Sequence, residues 1–243
     1  MDGTWRPAPG AASIPGVTFA RDERDALCSL LDEAGPDAPT LCEGWATRDL
    51  AAHLVLREHR PDAAAGILIR PLAGYTARVQ REIASRPYRE VVDMIRHGPP
   101  RLSFWAIPGA DERGNAIEYF VHHEDVRRST PGTGPRELDA ATEDLLWSRL
   151  RLARFMLRAA PCGVVLQRAS AAAAAGPAST GTGAGTGASA GRITAKPGTP
   201  SVTVTGTPGE LVVWATGRTS AAQVTLDGDE AAVRRLRAAR WTL

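Results

Sequence analysis

Apolar residues recur at helical spacing through most of the first two thirds of the chain, and this periodicity, punctuated by Pro and Gly, predicts a mainly α protein. Between Phe19 and Ala34, the residues Ala26, Leu27, Leu30, Leu31 and Ala34 share one side of a helix that Gly35-Pro36 stops. Thr47 suits the N-cap of a second helix running to about His59 and ended by Pro61. Pro71 to Ser85 predicts a third, with Leu72, Tyr75, Val79 and Ile83 inward, and Pro87 to His97 a fourth, closed by Gly98. Residues 99–114, with Phe104, Trp105 and Ile107, read as an irregular connection that packs over a bundle end or roofs a pocket. Asn115 to Arg128 predicts another helix. Glu137 to Ala159 predicts one long amphipathic helix with Leu138, Ala141, Leu145, Leu146, Leu150, Ala153 and Leu157 facing the core.

After Pro161 the pattern changes. Gly163–Arg168 and Ser201–Gly206 read as strands, Pro208 to Ala215 as a helix with Gly217 past its end, Gln223 to Leu226 as a strand and Asp229 to Ala239 as a charged amphipathic helix. Residues 169–199 are dominated by Ala, Gly, Ser, Thr and Pro with little to bury, so a flexible low-complexity insertion without regular structure is expected there. The expected organisation is a loose N-terminus over 1–17, a helical bundle over 18–160, and a small α+β lobe over 161–243 that the insertion interrupts.

The chemistry concentrates on two of the predicted helices. Glu118 and His122, four residues apart, stack on one helical face, and His53 lies on the helix that begins near Thr47. Two imidazoles and a carboxylate make a three-ligand set for a divalent cation, which leaves a coordination position open for water or substrate. A Glu-His pair at this spacing also occurs as a simple stabilising contact on exposed helices. Apolar neighbours Ile117, Phe120 and Val121, and Leu50, Ala51 and Leu54 around His53, favour the buried and therefore partnered reading. Arg57 sits one turn beyond His53. Asp125, three residues after His122, can orient an imidazole in the way carboxylates behind metal ligands do. Arg48, Arg127 and Arg128 are further cations on the same helices.

Two stretches carry a family resemblance. Gly44-Trp45-Ala46-Thr47-Arg48-Asp49-Leu50-Ala51-Ala52-His53-Leu54 resembles the first signature of the DinB-like, mycothiol-dependent maleylpyruvate isomerase superfamily, and Glu118-Tyr119-Phe120-Val121-His122-His123-Glu124-Asp125-Val126 resembles its second. The likeness covers roughly residues 17–160 and, more loosely, the C-terminal part around Leu211–Asp229. Ala46 stands where Thr or Ser is usual, and His123 where Gly commonly follows the second histidine.

The resemblance implies a DinB-like up-and-down bundle with a four-helix core and an abbreviated C-terminal α+β lobe. It assigns His53, Glu118 and His122 to a divalent metal, usually zinc in the family, and it names mycothiol as the thiol cosubstrate. The implied activity is that of an isomerase or a thiol S-transferase. In the isomerase reaction a thiolate adds to a conjugated cis double bond, rotation follows, and loss of the thiol leaves the trans product. A carboxylate or electrophilic substrate would need one or more arginines, for which Arg57 and Arg218 are candidates, with Asp125 as the supporting carboxylate. The likeness is strongest to a subgroup of metal-binding proteins without an assigned reaction. The competing reading is accordingly a non-catalytic metal-binding bundle serving storage, sensing or partner binding, in which a fourth protein ligand such as His123, His59 or Cys42 closes the sphere.

Composition sets the outer limits. The chain has 243 residues, 43% of them hydrophobic, enough for one sizeable core with or without a small second unit. A net charge of +2 without a basic stripe argues against nucleic acid as a partner. No apolar run is long enough to span a bilayer and the first residues lack a signal-peptide pattern, so no membrane partner and a cytoplasmic location are expected. Cys28, Cys42 and Cys162 are odd in number and widely spaced, which predicts free thiols. Cys42 lies eleven residues before His53, where it either packs as a small apolar group or approaches the metal.

Overall fold

A computed structural model describes residues 19–67, 69–100, 110–169 and 191–240. The helical part comprises α1 (Phe19–Ala34), α2 (Thr47–His59), the single turn α3 (Pro61–Ala64), α4 (Ala73–Ala84), α5 (Tyr88–His97) and α6 (Ala110–Arg127). Helix α1 packs against α6 and α5, while α2 packs against α4 and α5. One core joins them, built on Leu27, Leu31, Leu50, Leu54, Val79, Val91, Ile95, Tyr119 and Val126.

Beyond α6, α7 (Ala140–Arg149) and the turn α8 (Ala153–Met156) lead into β1 (Gly163–Arg168), β2 (Arg192–Lys196), β3 (Ser201–Gly206), α9 (Pro208–Ala215), β4 (Thr225–Gly228) and α10 (Glu230–Ala238). The sheet runs β2-β1-β3-β4, with β1 parallel to β3 and the other pairs antiparallel. Val202 and Val204 alternate inward and pair in register with Val164 and Leu166. A second core unites the sheet, α7, α9 and α10 with Phe120 and Val121 of α6. Helix α6 thus feeds both cores, Tyr119 and Val126 into one, Phe120 and Val121 into the other. A helix wrapped on all sides must pair its polar groups internally, and six of them, Asn115, Glu118, His122, His123, Glu124 and Asp125, lie in this stretch.

Several elements depart from the sequence expectation. Thr47 is the first helical residue rather than the cap; Ala46 occupies the cap and Asp49 accepts its backbone N–H at 3.0 Å, while the Thr47 hydroxyl donates to the Gly35 carbonyl. The third helix opens as a 3-10 turn over Arg70–Leu72, and Leu72 is exposed while Thr76 joins Val79 and Ile83 inside. Helix α6 starts at Ala110, inside the stretch expected to be irregular, because its first turn is polar and leaves no apolar periodicity to read. Phe104, Trp105 and Ile107 lie outside the described residues.

The long helix expected over Glu137–Ala159 is divided. Turns of 3-10 type at Leu150–Leu152 and Leu157–Ala159 flank α8, although Leu146, Leu150, Ala153 and Leu157 keep the inward spacing. Such turns satisfy carbonyls that a helix end leaves without partners, and Lys196 Nζ donates to two more, on Arg158 and Ala160. Residues 192–196, placed within the structureless insertion, form β2. Only Ala195 of that strand is buried, so backbone pairing with β1 rather than apolar patterning fixes it. The strand expected over Gln223–Leu226 lies two residues later, set by the pairing of Leu226 with Val204 and Gly228 with Val202. The loose segment 1–17 and most of the insertion lie outside the described residues. Among the described residues no helix is long and apolar enough to cross a membrane.

Candidate metal centre

Helices α2 and α6 bring His53, Glu118 and His122 together. Glu118 Oε1 lies 3.2 Å from Nε2 of His53 and 3.1 Å from Nε2 of His122, and the two imidazole centroids are 5.4 Å apart. Donors bound tetrahedrally to one ion at zinc-like distances lie about 3.3–3.5 Å from each other, so this trio needs little adjustment to hold a cation. Among the described residues no further His, Cys, Asp or Glu joins the group. Trp45 covers one side, with its ring centroid 5.2 Å from that of His53.

Two of the three donors, His122 and Glu118, are held from behind. Asp125 Oδ2 lies 2.8 Å from His122 Nδ1, which leaves Nε2 as the nitrogen directed at Glu118. Asp125 in turn accepts from Arg218, from Nε at 2.8 Å and from the terminal nitrogen at 2.6 Å, and its backbone carbonyl accepts from Leu41 N. The other Arg218 amino group donates to the Thr216 carbonyl at 2.7 Å. Arg57 Nε lies 3.3 Å from Glu118 Oε1 and a terminal nitrogen donates to Asn115 Oδ1. Asn115 Nδ2 then donates to Glu58 Oε1, the same oxygen that receives Arg24 and Tyr119 Oη. A chain of polar contacts therefore runs from Glu118 through the Arg57 guanidinium and the neutral Asn115 amide to the Glu58 carboxylate in the bundle core.

The electrostatics follow from this packing. Burial by itself would raise the Glu118 carboxyl, but Arg57 and the hydrogen bonds from His122 and His53 outweigh it and hold the group well below the usual carboxylate range. Burial pushes His53 below its ordinary value despite the Glu118 hydrogen bond. Burial also opposes charge on His122, yet its bonds to Asp125, Cys42 and Glu118 prevail and raise it. Asp125, which burial would raise, is brought down to about 2 by His122 and Arg218. A carboxylate and a neutral, desolvated imidazole are the ionisation states that cation binding requires of Glu118 and His53.

The remaining candidates sort by position. His123, adjacent to His122 in sequence, faces away and pairs with Glu23 at 3.0 Å; His97 meets the Asp93 carbonyl; His59 lies at the end of α2, outside the cluster. Arg48 reaches Asp37, Arg127 reaches Glu124, and Arg128 bridges Glu124 and Glu210. Cys42 is half-buried and close: its Sγ is 3.2 Å from Asp125 Oδ2 and 3.3 Å from Arg218, on the Nδ1 side of His122. Cys28 and Cys162 are buried and free elsewhere. Asn115, Glu58, Arg24 and Tyr119 were not singled out by sequence reasoning. The one local signal concerns Asn115, a polar residue on a helix whose apolar residues face two sides.

A helical bundle with its polar donors on α2 and α6, joined to a small α+β sheet, defines a mainly α, DinB-like fold. No family model and no curated protein matches the chain. Among solved structures, the mycothiol-dependent maleylpyruvate isomerase aligns with 86% of this chain and 90% of its own, at a TM-score of 0.52 and 16% identity. A histidine-to-alanine variant of that isomerase aligns over the same shares with a TM-score of 0.52 and 15% identity. The chain has the maleylpyruvate isomerase-like fold, and at this identity the likeness is one of fold.

Proposed function

We propose that this protein is a divalent-cation-dependent enzyme of thiol chemistry, an isomerase or an S-transferase, with His53, Glu118 and His122 as the metal ligands. The observation that carries the reading is the convergence of three donors on one point with no fourth protein donor among the described residues. The solved structures of like fold are named for a mycothiol-dependent isomerase, which favours a low-molecular-weight thiol, mycothiol in the first instance, as cosubstrate. Zinc suits the nitrogen and carboxylate donors. When bound, such an ion supplies Lewis acidity that keeps a thiol ionised at neutral pH.

The protein groups have separate tasks in this scheme. Asp125 holds the His122 ring so that Nε2 points at the cation. Arg57 orients Glu118 and places positive charge beside the ligands, where an anionic substrate would be drawn. Arg218, expected to clamp a substrate carboxylate, directs its Nε and one amino group to Asp125 instead, so its proposed role is to position Asp125 and through it His122. A cytoplasmic location fits a small-thiol cosubstrate.

The test is metal analysis of purified protein combined with titration by mycothiol, followed by assay with maleylpyruvate and with an electrophilic test compound. Stoichiometric zinc whose exchange rate or spectrum responds to thiol supports the reading. Tightly held zinc indifferent to thiol would favour storage or sensing.

A further inference from the structure

Three donors of another kind meet on the far side of the His122 ring. Cys42 Sγ, a nitrogen of His122 and an Asp125 carboxylate oxygen all lie within 4.8 Å of one another. They come from the loop before α2 and from α6. Asp125 is fully buried and His122 nearly so. A thiolate, an imidazole and a carboxylate form a donor set for zinc or cadmium. A positive group already stands among them: Arg218 lies 2.6 and 2.8 Å from the two Asp125 oxygens and 3.3 Å from Sγ. A guanidinium there neutralises Asp125 and satisfies its oxygens, and the same place cannot also admit a metal ion.

We infer that His122 serves two alternative cation positions, one through Nε2 with His53 and Glu118, the other through Nδ1 with Cys42 and Asp125, and that Arg218 confines the metal to the first by standing in for a cation at the second. This rests on the proposed His53–Glu118–His122 site. The geometry gives the C-terminal lobe, which carries Arg218, control over which nitrogen of His122 meets the metal. Occupying the second position would release the Cys42 thiol proton to solvent and shift the single ring proton of neutral His122 from Nδ1 to Nε2. With Arg218 neutralised, Asp125 becomes a buried carboxylate short of positive charge, a strong incentive to recruit a cation.

The test uses the full chain, cadmium as the probe, and the ultraviolet charge-transfer band that appears when a thiolate binds cadmium. Wild-type protein should take up one equivalent with no thiolate band, and cadmium should leave the alkylation rate of Cys42 unchanged. Arg218→Met and Arg218→Gln should each develop the band and protect Cys42 from alkylation. Arg218→Lys, which keeps a cation there, should not, and Cys42→Ser added to Arg218→Met should abolish the band. A band or Cys42 protection in the wild type would overturn the inference, as would a folded Arg218→Gln that binds cadmium without one. Should Arg218→Met and Arg218→Gln both fail to fold, the wild type still tests the exclusion, since slowed Cys42 alkylation in cadmium overturns it. Cadmium uptake unaffected by His53→Ala would instead count against the first site, separately from the Arg218 variants.

Discussion

Arg218 and Asp125 meet in a two-pronged ion pair, 2.6 and 2.8 Å long, across 93 positions of sequence. Asp125 passes that contact to His122 Nδ1 at 2.8 Å, so a residue of the C-terminal lobe braces a candidate ligand on α6. The proposed metal centre therefore draws on both the bundle and the lobe.

Asp125→Asn keeps the size of the side chain but removes the charge that fixes His122. Loss of a carboxylate behind a metal-bound imidazole typically costs 10–100-fold in metal affinity, and about that loss is expected here. Zinc dissociation constants from chelator competition check it, with circular dichroism confirming that the variant is folded.

His122→Ala should abolish stoichiometric zinc and thiol-dependent activity together. Two remaining ligands hold an ion far more weakly, and the thiol loses the group that ionises it. Metal content and activity measured on the same preparation give the comparison; retained activity without metal would refute the proposed chemistry.

A buried ion network docks the segment after α6 onto α1. Arg136 donates to both Glu23 oxygens at 2.9 Å and to Glu124 at 2.6 Å, and its guanidinium lies 5.1 Å from the Phe120 ring centroid. Removing one partner of such a pair strands the other, so Glu23→Gln should cost about 3 kcal/mol at neutral pH. Burial would raise the Glu23 carboxyl, but His123 and Arg136 outweigh it and lower it. A depressed carboxylate stabilises the fold above its unfolded pKa and loses that contribution as pH falls through its folded value. The stability gap between wild type and Glu23→Gln in urea should thus be full at pH 7 and shrink below about pH 4, the unfolded Glu value.

The insertion between β1 and β2 springs from chain ends that are already neighbours. Gln167 pairs with Arg192, and Arg168 N donates to Gly191 O at 2.9 Å. Replacing residues 171–189 with a short Gly-containing turn should leave zinc binding unchanged and stability within about 0.5 kcal/mol, since loop length weakly affects closure entropy. Denaturant melts and metal titration check it, and a large loss of stability would show that the segment packs on the fold.

The sequence by itself determined what is local. Helical periodicity placed α1 at its observed bounds and α2 to within a residue at its start, Gly98 marked the end of α5 by adopting φ of 74°, and the spacing of Glu118 and His122 put both on one face of α6. These follow from interactions within a turn or two, which sequence order encodes directly. It misjudged elements whose stability comes from partners. β2 exists because β1 offers hydrogen bonds, β4 took its register from β3, and the first turn of α6 carries no apolar signal.

At the site, the division is sharper. Sequence marked His53, Glu118, His122, Asp125, Arg57 and Arg218 as residues of the right chemistry, but side chains on separate elements converge only through packing. Tertiary structure alone decided that Arg218 faces Asp125, that Cys42 lies on the Nδ1 side of His122, and that Asn115 links Arg57 to Glu58. The physical reason is burial: from Asn115 onward α6 feeds two cores, so each buried polar group there must find a partner in whatever element lies opposite, and no local pattern names that element.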